Sequence, residues 1–425
     1  MKPEKNKKKP CPHFGVCGGC QLLDVPYAQQ LVQKQELLRN EFVRAGVPEV
    51  QDVLQPILKM KNPDHYRNKV TAVFAQDARG RIICGTYQAG SRRVLPVKSC
   101  RLDNTAADRI VLTIAAMMPS FHIRPYDPVK RSGSLRYVQI RTARGTGQIM
   151  VTLVTASPSF PSRDSFIRSL CDRHPEITTI VHNINARTDA MILADREKVL
   201  YGEGHIEDIL CGRRFMLSST SFYQVNPLQT EKLYNVAVDF AGLSGRESIL
   251  DAYCGIGTIG IIAAAGARFV QGVELNAAAV EDACRNAAKN GLKNIRFTAA
   301  DATAYMEELA SGGREPAEKP DVIFLDPPRA GATPRFLKAA ASLSPKKIVY
   351  ISCEPSSLAR DLAILKELGY RAVKAVPVDM FPHTWHIETV CLLSNRKPDA
   401  RVKIDVDLED YYRIKDEQKK NKASE

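Results

Sequence analysis

Along residues 27–45, "YAQQLVQKQELLRNEFVRA", apolar positions return every three or four residues. Leu31, Leu37, Leu38 and Phe42 make one stripe, and that spacing predicts an amphipathic helix. Between about 55 and 215 the period shortens. "KVTAVFA", "IICGTYQ", "YVQIRT" and "GQIMVTLVT" are strand-like runs set apart by polar, Gly-containing turns. They predict a mixed, largely antiparallel β region. No internal repeat is visible.

From about 225 the pattern changes again. "NPLQTEKLYNVAVDFAG" predicts a helix with Asn226 as N-cap, Pro227 at its first position and Gly242 past its end. Strand "SILDAYC", helix "TIGIIAAAGA", strand "FVQGVEL" and helix "AAAVEDACRNAAKNG" follow in turn. Strands "IRFTAAD", "DVIFLD" and "KIVYIS" come next, with helices between them, and "HIETVCLLS" closes the series. Strands alternating with helices at this spacing predict an α/β fold, a doubly wound, mostly parallel Rossmann-like sheet. The expected organisation is an N-terminal segment and helix (1–50), a central mixed α/β domain (51–215), a catalytic domain (216–395) and a charged, peripheral tail (396–425).

The 425 residues leave room for two or three domains, and 44% hydrophobic with 25% charged residues is ordinary globular composition. Charge changes the picture more. Lys and Arg number 60 against 47 Asp and Glu, a net +13. That excess favours an anionic partner, nucleic acid before an acidic membrane surface. No apolar run reaches the roughly 18–20 residues of a membrane span. "MKPEKNKKKP" has lysines with no apolar stretch behind them, so it does not read as a secretory signal. Eleven cysteines without such a signal predict reduced thiols in the cytoplasm.

Three of those cysteines, Cys11, Cys17 and Cys20, sit within "CPHFGVCGGC", a spacing that reads as a metal-ligand set. Thiolates suit iron–sulfur and zinc alike, and both stay open at this point. "DAYCGIGTIG" places Gly255, Gly257 and Gly260 between a strand and a helix, where glycines let backbone approach a ligand. Glu274, ending the next strand, can accept both ribose hydroxyls. Asp251 could pair with a ligand ammonium, and Asp301 with an adenine amino group. Those groups occur together on S-adenosylmethionine, although a dinucleotide shares the glycine turn and the ribose acid.

"FLDPPRAG" fixes Asp326 and Arg329 in a stiff turn at a strand end. Cys353 in "IVYISCEP" lies just past another strand end, a position that favours a nucleophile over a buried structural thiol. His386 and Glu388 are two apart, on one face if that segment is a strand. Together Cys353 and Glu388 favour carbon methylation of a pyrimidine. Carbon 5 of uracil becomes nucleophilic only after a thiolate adds at carbon 6, and a base must then remove the carbon-5 proton. Methylation of a base amine needs neither residue.

Taken together, the cysteine run, "SFYQVNP", "DAYCGIGTIG", "DPPRAG", "ISCEP" and "FPHTWHIE" resemble the RNA uracil-5-methyltransferases, from Cys11 to Glu388. The iron–sulfur members that modify 23S ribosomal RNA are the nearest match. The resemblance implies Cys353 as nucleophile and Glu388 as base. It implies a cofactor lining of Gln224, Tyr253, Gly255, Gly257, Thr258, Glu274, Asp301 and Asp326, with Asp326 near the target uracil. Thr258 stands where relatives often have Asn. Phe222 would pack against the cofactor or the base. A [4Fe–4S] cluster on Cys11, Cys17, Cys20 and a distant cysteine is implied too, with Cys100 the fourth ligand and Cys84 its competitor. Larger relatives carry an RNA-binding barrel, the TRAM domain, before the cysteines, whereas ten residues precede Cys11 here. The RNA grip is then expected from the N-terminal lysines, "YRNK" at 66–69, "GSRRVLPVK" at 90–98 or the central domain. A monomer that binds no membrane is expected. The alternatives are a transfer-RNA-modifying member and a non-catalytic RNA-binding assembly factor of the ribosome.

Overall fold

A computed structural model describes residues 11–313 and 319–395. The N-terminal lysines and the charged tail from 396 onward lie outside the described residues. Helix α1 (Tyr27–Arg44) buries Gln30, Lys34, Leu38 and Phe42. Leu31 and Leu37 are only half-buried. The stripe is therefore rotated from the apolar one expected, because Lys34 finds an ion-pair partner in Asp379 and both side chains are buried.

The central region is one seven-stranded sheet. Chain order runs β1 (Lys69–Gln76), β2 (Ile82–Tyr87), β3 (Val94–Pro96), α2 (Thr105–Met117), β4 (Leu135–Thr142), β5 (Ile149–Thr155), α3 (Arg163–Arg173), β6 (Ile177–Ile184) and β7 (Glu197–Tyr201). The spatial order is β3-β2-β1-β4-β5-β6-β7. All pairs are antiparallel except β5–β6, which α3 joins as a crossover. Ile110 and Ile114 of α2 and Phe166 and Leu170 of α3 pack with Val138, Ile140 and Val151 of the sheet. A hairpin of β8 (Ile206–Leu210) and β9 (Arg213–Leu217) follows.

Helix α4 (Pro227–Ala241) starts and stops where its punctuation says. The Asn226 side chain accepts from Gln229 N–H, and Gly242 takes the left-handed conformation past the end (φ 58°). The second sheet is built from β10 (Ser248–Ala252), α5 (Thr258–Ala263), β11 (Phe269–Glu274), α6 (Ala277–Lys289), β12 (Ile295–Ala299), α7 (Ala302–Ala310), β13 (Val322–Leu325), α8 (Pro334–Ser342), β14 (Lys347–Ser352), α9 (Pro355–Glu367), β15 (Arg371–Val378) and β16 (Glu388–Ser394). Its order is β12-β11-β10-β13-β14-β16-β15. The first five strands are parallel, and β16 inserts antiparallel between β14 and β15. Every residue of β10 and β13 is buried, as a strand covered on both faces requires. The strand order reverses at β10 and β13, which opens a crevice at their carboxyl ends. Among the described residues no helix is long and apolar enough to cross a membrane.

Candidate active site

A cavity of about 630 Å³ fills that crevice. Gln224, Tyr253, Gly255, Thr258, Glu274, Asp301, Asp326, Cys353 and Glu388 all line it. Gly257 lies behind the wall. It caps α5 with φ 80°, and a Cβ there would stand 2.7 Å from the Phe297 ring. Tyr253 and Gly255 also take positive φ (63° and 55°), so the turn folds back tightly and brings Gly255 backbone to the cavity.

Glu274 and Asp301 are each oriented by backbone. Glu274 accepts from Gly255 N–H at 3.1 Å and from Asn276 N–H at 2.9 Å. Asp301 caps α7 through Ala304 N–H at 2.9 Å. A carboxylate oxygen has two lone pairs, so both acids keep accepting capacity toward the cavity. Asp251 differs from expectation. It is fully buried beneath the turn, accepts from Gly260 N–H at 2.8 Å, and does not line the cavity. Its task is to hold α5 under the glycines, and burial pushes its carboxyl up to about 7.

The opposite wall carries the reactive groups. Burial pushes the Cys353 thiol up to about 11, Glu388 and Asp326 add to the rise, and Arg329 opposes it. Loss of solvent pushes Asp326 up to about 7. Glu388 opens β16 and is buried, with Oε2 lacking a hydrogen-bond partner among the described residues. Burial first, then the Asp326 charge, hold it well above the carboxylate range. His386 does not share a face with Glu388. It is exposed, lies before β16 begins, and accepts from Arg329 Nη2 at 2.7 Å. Tyr234 is a wall residue the sequence did not flag. On α4 it reads as core, yet it is buried against the cavity, hydrogen-bonded to Thr258 and facing Asp326 and Glu388. Phe222 stands at the rim, 66% exposed.

Cys11, Cys17, Cys20 and Cys100 line a separate cavity of about 150 Å³. Burial pushes the Cys20 thiol up to about 11, and Cys17 and Cys11 add to it. Cys84 instead packs in the core of the central sheet. The donor chemistry fits a thiolate-held metal group. Among the described residues, however, no three His, Cys, Asp or Glu side chains are converged to hold a metal ion.

In "YRNK", Tyr66 and Asn68 brace the framework. Tyr66 hydroxyl donates to the Pro382 carbonyl (3.2 Å), and Asn68 Nδ2 donates to the Gln224 carbonyl (3.0 Å). Burial lowers Lys69 to about 8. In the 90–98 segment, Arg92, Arg93 and Lys98 are exposed.

Comparison with known proteins adds family context. Residues 178–396 match the tRNA (Uracil-5-)-methyltransferase family model. An uncharacterized RNA methyltransferase of Clostridium tetani is 37% identical over 92% of this chain and 84% of its own length. One from Halalkalibacterium halodurans is 40% identical over 90% of this chain and 82% of its own. Among solved structures, the tRNA (uracil-54, C5)-methyltransferase of Pyrococcus abyssi, in complex with S-adenosyl-L-homocysteine, is similar with a TM-score of 0.72 and 25% identity. That likeness covers 89% of this chain and 86% of that one.

Proposed function

The chain belongs to the RNA uracil-5-methyltransferase family, and from that premise we propose that it methylates carbon 5 of a uridine in 23S ribosomal RNA, with S-adenosylmethionine as methyl donor. It is an RNA methyltransferase, a transferase. The observation that supports carbon-5 methylation is the cavity wall, where Cys353, Glu388 and Asp326 meet opposite the glycine turn and Glu274. The Cys353 thiolate adds to carbon 6 of the uracil, and carbon 5 then takes the methyl group from the sulfonium, which departs as S-adenosylhomocysteine. Glu388 removes the carbon-5 proton so that the thiolate leaves. Asp326 orients the uracil ring. Gly255, Tyr253, Thr258, Gln224, Glu274 and Asp301 hold the donor, whose sulfonium supplies the transferable methyl.

A transfer-RNA substrate is the second reading, favoured by the Pyrococcus abyssi neighbour. Mapping 5-methyluridine in ribosomal and transfer RNA from cells lacking the protein decides between them. Loss from 23S RNA supports the first reading, loss from transfer RNA alone replaces it, and loss from neither overturns both.

Glu274→Ala is expected to weaken S-adenosylmethionine binding by about 1.5–3 kcal/mol, the range for charge-assisted hydrogen bonds. Calorimetry on folded protein with unchanged affinity would remove Glu274 from the donor site.

Cys11, Cys17, Cys20 and Cys100 are proposed to hold a [4Fe–4S] cluster, on the strength of four thiols around one cavity. Its role is to pin the N-terminal segment, with no part in methyl transfer. Anaerobically purified protein should be brown with about four irons per chain. Stoichiometric zinc without iron would replace the cluster with a zinc site.

A further inference from the structure

The loop between β15 and β16 is held from outside its own sheet. Gln21 and Leu22 backbone N–H groups donate to the His383 carbonyl at 3.1 and 3.0 Å. Gln30 Oε1 accepts from His383 N–H at 3.0 Å, and Lys34 Nζ donates to the Phe381 carbonyl at 3.0 Å. His383 Nε2 pairs with Asp64 at 3.0 Å. Inside the loop, the Thr384 hydroxyl donates to the Phe381 carbonyl and accepts from His386 N–H. This much anchoring fixes the loop's course through Thr384.

The next residue, Trp385, is the chain's one tryptophan. Thr384 before it and Ile387 after His386 are buried, while Trp385 is 42% exposed. An indole left partly exposed on a well-anchored loop offers an aromatic face with a polar edge to a partner. Its surroundings say which partner. Phe381 of the same loop lines the catalytic cavity. His386, adjacent to Trp385, accepts from Arg329, and Arg329 lines the cavity as well. Partial loss of solvent and the Arg329 cation both push His386 below its usual range, and the fixed positive charge here is that of Arg329.

We propose that Trp385 is a stacking platform for a nucleobase of the RNA substrate flanking the uridine in the cavity, with Arg329 facing the adjoining phosphodiester. The proposal rests on the uridine-methylating reading above. Drawing one uridine out of its strand into the cavity leaves a neighbouring base with an uncovered face. The Trp385 indole, next in the chain to the His386 that accepts from Arg329, covers that face without regard to base identity. The +13 charge of the chain and the Arg329 cation bonded to the neighbouring His386 select a polyanion over an apolar protein surface.

A single tryptophan makes the test direct. Wild-type protein, Trp385→Ala and Trp385→Phe are compared on unmodified 23S and transfer-RNA transcripts for methylation, and on a single-stranded U-rich RNA oligonucleotide for binding. Intrinsic fluorescence is read on the wild type. The expected results are saturable quenching of the indole by RNA and a rise of about tenfold in KM for RNA in Trp385→Ala, within the range of one base–aromatic stack. Unchanged kcat, unchanged cofactor affinity and substantial rescue by Trp385→Phe should accompany them. Wild-type methylation with no quenching, or with an unchanged KM in Trp385→Ala, overturns the platform alone and leaves the indole to a protein partner. Quenching and Trp385-dependent binding without methylation of either transcript keep the platform and overturn the uridine reading. Neither methylation nor quenching overturns both.

Discussion

Cys353→Ala is expected to reduce RNA methylation to background and to form no covalent complex with RNA, while binding S-adenosylmethionine as the wild type does. Carbon 5 of uracil is too weak a nucleophile to take a methyl group unaided, so removing the thiol removes the first step of the reaction. The other cysteine on the cavity wall cannot substitute. Cys254 is buried within the glycine turn, its thiol is directed at the Gly255 carbonyl, and burial holds it well above the thiol range. The environment of Cys353 adds a pH dependence with a definite sign. A thiol pushed up to about 11 is ionised in only about one molecule in ten thousand at pH 7, and the thiolate fraction rises about tenfold per pH unit below that value. Alkylation of Cys353 by iodoacetamide in the free protein, followed by mass spectrometry of its peptide, should therefore be slow at pH 7 and climb steeply toward pH 10. A flat profile would mean that the thiol is already ionised, and wild-type turnover by Cys353→Ala would exclude covalent catalysis by this residue.

What the sequence disclosed follows from how local each signal is. Helix α4 was legible to the residue because Asn226, Pro227 and Gly242 act on their own turn of backbone. Strands β13 and β14 were legible because a run buried on both faces is apolar throughout, whereas β15 (Arg371–Val378), half of it solvent-facing, was not read from the sequence. The cavity lining was legible because each parallel strand delivers its last or next residue to the same edge, which is how Glu274, Asp326 and Cys353 converge. Distant pairings were not legible. Lys34 reads as a solvent residue of α1 until Asp379, 345 residues on, turns up beside it. Asp251 looked like a ligand acid because it precedes the glycines, yet β10 buries it under Gly260. His386 looked like a strand partner of Glu388, but β16 begins at Glu388 and leaves His386 outside with Arg329. Tyr234 was hidden by its helical spacing, which fits core and cavity wall equally.

Glu388→Ala is expected to separate methyl transfer from product release. The variant should still add Cys353 to the uracil and methylate it, then stall with the thioether intact, because nothing remains to take the carbon-5 proton. A positioned general base contributes roughly 10²–10⁴-fold, so release of methylated RNA should slow by that order. The stalled species should run as a protein–RNA band on a denaturing gel and carry label from the donor methyl group. The surroundings of Glu388 support this assignment. Its buried Oε2 has no hydrogen-bond partner among the described residues, which leaves an acceptor available to a proton at the cavity. A carboxyl held well above its usual range binds a proton more tightly than an exposed acid does, so its ionised form is the stronger base. The sign for pH follows. Below that raised value the carboxyl is already protonated and cannot act, so release should slow as pH falls and recover as it rises. His386 is poorly placed to stand in, since it is exposed, occupied by Arg329 and pushed below its usual range. Release at the wild-type rate from Glu388→Ala would put the base elsewhere. A variant that neither methylates nor forms the adduct, though folded and able to bind donor and RNA, would move Glu388 to a step before methyl transfer.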